Sequence, residues 1–330
     1  MLNPDLKLNE KVFNEDVEQA ATRVGYGEGL LELGERDKNV VALSADLTES
    51  THAHKFAEKY PDRFFEVGIG EQNMAAVAAG LGVSGKITFI SSYATFSPGK
   101  NWETIRTTCV YNKANVKIAG HHAGIMTGPD GATHQATEDI AITRCWPIIE
   151  IMVPCDSIEA KKTTLAAADV NGPVYIRYTR DKTPIMTTNE TPFEKGKMYD
   201  FWVSDNPLVT IFSMGYMTYY ALLAAKDLEN EGINVLVVNV PTIKPLDTEA
   251  IKRFTQHSHA VVSVEDHQVA GGLGSAIAEE LAKTTPLPME FIGLQNTFAE
   301  SGGTRELLDK YGMGKDAIKD AVKKVISRKS

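Results

Sequence analysis

Short runs that are apolar throughout, rather than alternating, recur along the first half of the chain at residues 39–44, 86–91, 116–120, 148–153 and 173–178. Runs of this kind read as strands buried on both faces of a parallel sheet. The segments between them, such as 18–36 and 157–169, carry helical period. Ser157, following Asp156 and preceding Glu159, has the pattern of a helix start. From Thr179 to about Asp205 the pattern lapses into Thr, Asn, Pro, Lys and Glu, the composition of a linker. A second alternation follows, with strands at 208–213, 234–240, 260–264 and 289–292 and helices at 217–231 and 275–283. The expected fold class is α/β, with two doubly wound domains. The first, with a mainly parallel sheet, spans 1–186. Residues 187–204 form the linker, and a smaller α/β domain spans 205–330.

The length of 330 residues suits two such domains, and 43% hydrophobic with 23% charged residues fits a soluble globular chain. No apolar run approaches a membrane span, and Met1-Leu2-Asn3-Pro4-Asp5 lacks the basic and apolar regions of a signal peptide. A cytoplasmic chain with no membrane contact is expected. The formal charge of −9 speaks against a nucleic-acid partner. Cys109, Cys145 and Cys155 have neither metal-ligand spacing nor a disulfide framework, so no metal site is expected on this chain.

Candidate chemistry begins at Val67-Gly68-Ile69-Gly70-Glu71-Gln72-Asn73-Met74, where a carboxylate opens a helix rich in small residues. Taken alone, Glu71 reads first as an acid complementing its helix dipole after a glycine-rich turn. Downstream, Gly128-Pro129-Asp130-Gly131-Ala132-Thr133-His134-Gln135 changes the picture. Three of the eight histidines, His121, His122 and His134, fall within a glycine-rich loop that can gather several side chains at one point. Histidines can donate to a developing alkoxide and move protons from sugar hydroxyls. Their spacing fits no standard zinc pattern, and a polar surface loop is the bland alternative. The pair of segments suggests a thiamine diphosphate enzyme. There a buried glutamate hydrogen-bonds N1′ of the cofactor's pyrimidine and favours the imino tautomer that activates it.

Tyr93 and Phe96, in Ser91-Ser92-Tyr93-Ala94-Thr95-Phe96-Ser97-Pro98, present rings on which an aminopyrimidine can stack, although aromatics at strand ends are commonly core residues. Ser50, past the end of another strand, and Arg23 together suit a phosphate. Gly271-Gly272-Leu273-Gly274 has the look of a phosphate-binding turn but lacks the full dinucleotide fingerprint, so close backbone packing is the preferred explanation.

The ordered set Ser44-Ala45-Asp46-Leu47, Gly68-Ile69-Gly70-Glu71-Gln72-Asn73-Met74, Asp130-Gly131-Ala132-Thr133-His134-Gln135, Pro154-Cys155-Asp156 and Val264-Glu265-Asp266-His267 spans nearly the whole chain. It resembles the transketolase family in its C-terminal two-thirds. The resemblance implies that Glu71 activates the pyrimidine, that Phe96 with Tyr93 lies against it, and that His122, Asp130 and His134 hold the sugar's carbonyl and hydroxyl groups. Arg23 and Ser50 match phosphate-end contacts, whereas the family's further phosphate-binding arginine falls near Val153. The Gly-Asp-Gly…Asn signature with which the family binds Mg²⁺ and the diphosphate is not found. The resemblance therefore implies the C-terminal subunit of a split transketolase. Its partner would be a separately encoded N-terminal subunit bearing the Mg²⁺ ligands, in an α2β2 assembly acting on sugar phosphates with Glu71 and His134 as catalytic residues. The second domain is assigned to assembly. Rival readings are the β subunit of a 2-oxo acid dehydrogenase, an enzyme resembling deoxyxylulose phosphate synthase, and a non-catalytic scaffold subunit.

Overall fold

The structure, a computed structural model, describes residues 1–328. In the first half lie β1 (Val40–Ser44), β2 (Phe64–Glu66), β3 (Ile87–Tyr93), β4 (Val116–His121), β5 (Glu150–Met152) and β6 (Val174–Arg177). The second half holds β7 (Tyr199–Trp202), β8 (Val209–Ser213), β9 (Val235–Asn239), β10 (Thr242–Lys244), β11 (Ala260–Gln268) and β12 (Met289–Leu294). The first sheet runs β10-β5-β6-β4-β3-β1-β2 and the second β12-β11-β8-β9-β7. Pairing is parallel in both except at one edge each, where β10 runs against β5 and β7 against β9. β1, β4 and β6 are buried at every position, as expected of central parallel strands carrying Val, Ile and Ala.

Three helices position the candidate chemistry: α1 (Thr22–Arg36), α2 (Glu71–Val83) and α3 (Ser157–Ala168). α1 lies hard against α3 because Gly25 has no side chain; a Cβ there would sit 1.9 Å from the carbonyl oxygen of Ser157. That contact fixes Arg23 in the first turn of α1. Asp156 caps α3 as its sequence context suggested, accepting from the Glu159 N–H at 2.9 Å.

The strand expected at 148–153 is shorter, because Ile148 turns with φ 58° after Pro147. The helix expected from residue 18 starts at Thr22, while Gln19–Ala20 pair instead with Thr183–Pro184. The stretch read as a linker is fastened down. Asp156 accepts from the backbone N–H groups of Met186 and Thr187 at 2.8 and 2.7 Å, and β7 forms within it. β10 crosses back to the edge of the first sheet, Thr242 opposite Met152. One apolar cluster runs through both sheets, from Ile90, Ile118 and Ile151 to Phe212, Val238 and Val261. Each such side chain, fully buried, contributes roughly 1.5–3 kcal/mol. Among the described residues no helix is long and apolar enough to cross a membrane.

Candidate active site

The glycine turn before α2 folds on itself. Gly68 takes φ +69°, and the Gly70 N–H donates to its carbonyl at 2.7 Å. Glu71 is thereby the first residue of α2, its side chain 3% exposed. Lys100 Nζ donates to Glu71 Oε2 at 2.8 Å. Asn101 ties the next segment to this point: its Nδ2 donates to the Glu71 carbonyl at 3.0 Å and to Ser97 Oγ at 3.2 Å, and its backbone N–H to the Phe96 carbonyl at 3.2 Å.

β3 and β4 end side by side, with Tyr93 paired to His121. His122 follows with φ 53°, which turns its ring onto Tyr93; the centroids are 3.9 Å apart and 26° from parallel. Phe96 lies 6.0 Å from Tyr93, and His134 meets both rings edge-on at 5.5 and 6.2 Å. Thr133 Oγ1 lies 2.9 Å from His134 Nδ1, orienting the ring. Tyr93 Oη hydrogen-bonds Ser50 Oγ at 2.8 Å, and the Ser50 carbonyl accepts from Arg23 Nη1 at 2.8 Å. The structure thus joins Tyr93, Phe96, His122, His134, Ser50 and Arg23 in one group, linked to Glu71 through Asn101. Asp130 stands apart. It is exposed, and among the described residues its carboxylate makes no hydrogen bond or ion pair.

Burial, then the charges of Arg23, Arg180 and His134, hold the His122 pKa down at about 3. Its ring is therefore neutral and offers one N–H and one lone pair; its buried Nδ1 has no partner among the described residues. Burial and the Arg23 charge likewise push His52 down to about 4.

The loop from His121 to Gln135 leans on the second domain. Asp266 Oδ1 accepts from the Ile125 N–H at 2.9 Å, and Gln135 Nε2 donates to the Glu300 carbonyl at 3.1 Å. Gly124, at φ +76°, approaches Asp266 so closely that a Cβ would lie 1.8 Å from Oδ2. Arg177, buried, binds Asp139 Oδ2 through Nε at 2.8 Å and the Asp266 carbonyl through Nη2 at 2.6 Å. The second domain, assigned to assembly from its sequence, also forms the wall behind the histidine loop. Asp266 stood in a string already singled out, but its partner Ile125 lies 141 residues away. Lys100, Asn101 and Arg180 were not anticipated, because nothing in a sequence says where a long side chain turns.

At Gly271–Gly274 the turn is filled from within. Glu265 accepts from the N–H groups of Leu273 and Gly274 at 2.8 and 2.9 Å, and a Cβ on Gly272 would lie 1.9 Å from Glu265 Oε2. Val153 is buried in the apolar cluster, its N–H donating to the Pro241 carbonyl at 2.8 Å, so that position supplies no charge. Among the described residues no group of three His, Cys, Asp or Glu side chains is arranged to hold a metal ion.

Residues 18–186 match the family model of the transketolase pyrimidine-binding domain, and residues 202–318 that of the transketolase C-terminal domain. A protein of Methanocaldococcus jannaschii named as a transketolase C-terminal section is 43% identical over 301 residues, covering 90% of this chain and 93% of its own. The 6-deoxy-6-sulfo-D-fructose transketolase subunit SqwH of Clostridium sp. (strain MSTE9) is 36% identical over 318 residues, covering 96% and 98%. A solved structure described as a split gene transketolase, inactive β4 tetramer, superposes with a TM-score of 0.87 at 42% identity, covering 93% of this chain and 98% of its own.

Proposed function

The chain belongs to the transketolase family, and from that membership we propose that it is the C-terminal subunit of a split transketolase. In this reading it moves a two-carbon ketol unit from a ketose phosphate to an aldose phosphate, on thiamine diphosphate held jointly with an N-terminal partner. The observation that carries the reading is Glu71, a carboxylate nearly closed off from water and tied through Asn101 to the turn bearing Phe96. Such a group fits the N1′ edge of an aminopyrimidine, and the neighbouring rings fit its flat face. With no metal-holding group among the described residues, the Mg²⁺ and diphosphate contacts are assigned to the partner.

When bound, the cofactor supplies a nucleophilic carbon and an electron sink. The chain's own residues bind and move protons. Glu71 holds the proton at N1′, with Phe96 and Tyr93 against the ring. His122, neutral, hydrogen-bonds a sugar oxygen, and His134, oriented by Thr133, carries a proton at the reacting oxygen. Asp130 is assigned to an outer hydroxyl, and Arg23 with Ser50 to the phosphate end.

The outward side of α2 supports a partner. Gln72, Asn73, Ala76, Val77, Gly80 and Val83 are exposed, as are Phe65 and Ile69 just before it. A Cβ on Gly80 would meet nothing within 4 Å, so no packing inside this chain requires glycine there. A glycine in a helix interior costs about 1 kcal/mol relative to alanine, which points to a neighbour laid closely on this face. The expected assembly is α2β2.

The test is a two-carbon transfer assay, dependent on thiamine diphosphate and Mg²⁺, with this chain and the product of its genomic neighbour, co-expressed and separate. Activity in the mixture alone is expected. Turnover by the pure single chain would overturn the shared site, and no turnover in the mixture would overturn the ketol-transfer reading.

A further inference from the structure

We propose that Arg177 is a positioning residue for both histidines of the candidate site, clamping the neck of the loop that carries them. The inference rests on the transketolase reading and gives a task to a side chain that reading left outside the site. His122 and His134 belong to one excursion of the chain whose two ends meet. Ala123 and Ala136 form a bridge, and the Gly124 N–H donates to the Ala136 carbonyl at 2.7 Å. His122 stands one residue before that neck, and His134 two residues before its far side. Whatever shifts Ala136 therefore shifts one histidine against the other.

Arg177 reaches the neck from the end of β6, opposite Gly120 in register, its side chain 3% exposed. One terminal nitrogen joins two parts of the molecule. Nη2 donates to the Ala136 carbonyl at 3.3 Å and, across in the second domain, to the Asp266 carbonyl at 2.6 Å. Nε donates to Asp139 Oδ2 at 2.8 Å, and Tyr175 Oη donates to the same oxygen at 2.5 Å. Tyr175 passes over Gly120, where a Cβ would lie 2.5 Å from its ring. Asp139, three residues past the neck, thus holds the guanidinium plane, and the plane directs Nη2 at two carbonyls. Neutralising the buried acid needs only the first of these bonds. The other two, to the base of the loop and to the second domain, fix its position. A lysine carries the same charge as a single point without the planar fork, so it cannot serve these three acceptors from one fixed plane.

The test is Arg177→Lys, which keeps the Asp139 carboxylate beside a cation. In the full chain, without turnover, the ring C–H signals of isotope-labelled histidine report where the loop sits. The His122 signals, assigned by their loss in His122→Gln and displaced by the Tyr93 ring 3.9 Å away, are expected to shift in Arg177→Lys. Arg144→Lys alters a different link between the domains, to Glu279 and the Gly271 carbonyl, and is expected to leave them in place. In the assembled enzyme, Arg177→Lys should lower kcat by up to about 100-fold, the scale of an ångström's misplacement, while affinity for thiamine diphosphate is kept. A merely structural arginine would lower the melting temperature and leave kcat intact below it. Histidine signals identical to wild type, or an unchanged kcat, would overturn the clamp. If the wild-type assembly moves no ketol unit while the His122 signals still depend on Arg177, the clamp stands and the transketolase reading fails.

Discussion

At the scale of single residues, the informative pair is Glu71 and Lys100. The lysine occupies the carboxylate oxygen Oε2, so a ring nitrogen hydrogen-bonded to that oxygen has to share it or displace an amine that is itself half exposed. Glu71→Gln keeps the shape and removes the proton. We expect it to lower turnover of the assembled enzyme by about 10²- to 10⁴-fold, the range of general acid–base catalysis, with the melting temperature of the chain little changed. A scaffold subunit would show no such loss. His122 differs in kind. Held near pKa 3, it stays neutral throughout the working range and orients rather than carries a proton.

At the scale of elements, the loop from His121 to Gln135 is braced from outside by the second domain, through Asp266 and the Glu300 carbonyl. Asp266→Ala removes the acceptor of the buried Ile125 N–H, a loss of about 1–3 kcal/mol in stability. Displacing His122 and His134 by even an ångström is expected to reduce kcat/KM about 10²-fold while cofactor affinity in the assembly changes little. Melting curves and cofactor titrations on the same variant check both halves of that expectation. The sequence shows why the elements form more readily than how they brace one another. Long apolar, β-branched runs such as Val40–Ser44 declare themselves as buried strands. Phe64–Glu66, Tyr199–Trp202 and Thr242–Lys244 do not, being short and lying at sheet edges, where one neighbour suffices and polar residues are tolerated. The glutamate and histidines of the candidate site were legible because their chemistry is carried in contiguous strings. Asp266, Arg180 and Lys100 were not, because their roles arise from contacts made only after folding.

At the scale of the molecule, the two domains meet across a continuous core with a buried acid in the seam. Glu159 of α3 accepts from the Cys155 N–H at 2.6 Å and from Asn239 Nδ2, at the end of β9, at 2.9 Å. Burial, then the Asp156 charge, raises its pKa from 4.5 to about 7. Between those values the folded chain keeps a proton that the unfolded chain releases, so this group's contribution to stability falls as pH rises through that window. Melting curves from pH 4 to 8 should show wild type losing ground to Glu159→Gln by up to about 3 kcal/mol, and a constant gap would contradict the raised pKa. The turn at Gly271–Gly274 has a different consequence for the whole. Helix starts of this shape attract phosphates, yet here the N–H groups already hold Glu265, an acid the chain brings for itself. That turn is thus self-occupied. A nucleotide seeking that turn would have to evict a covalently tethered competitor.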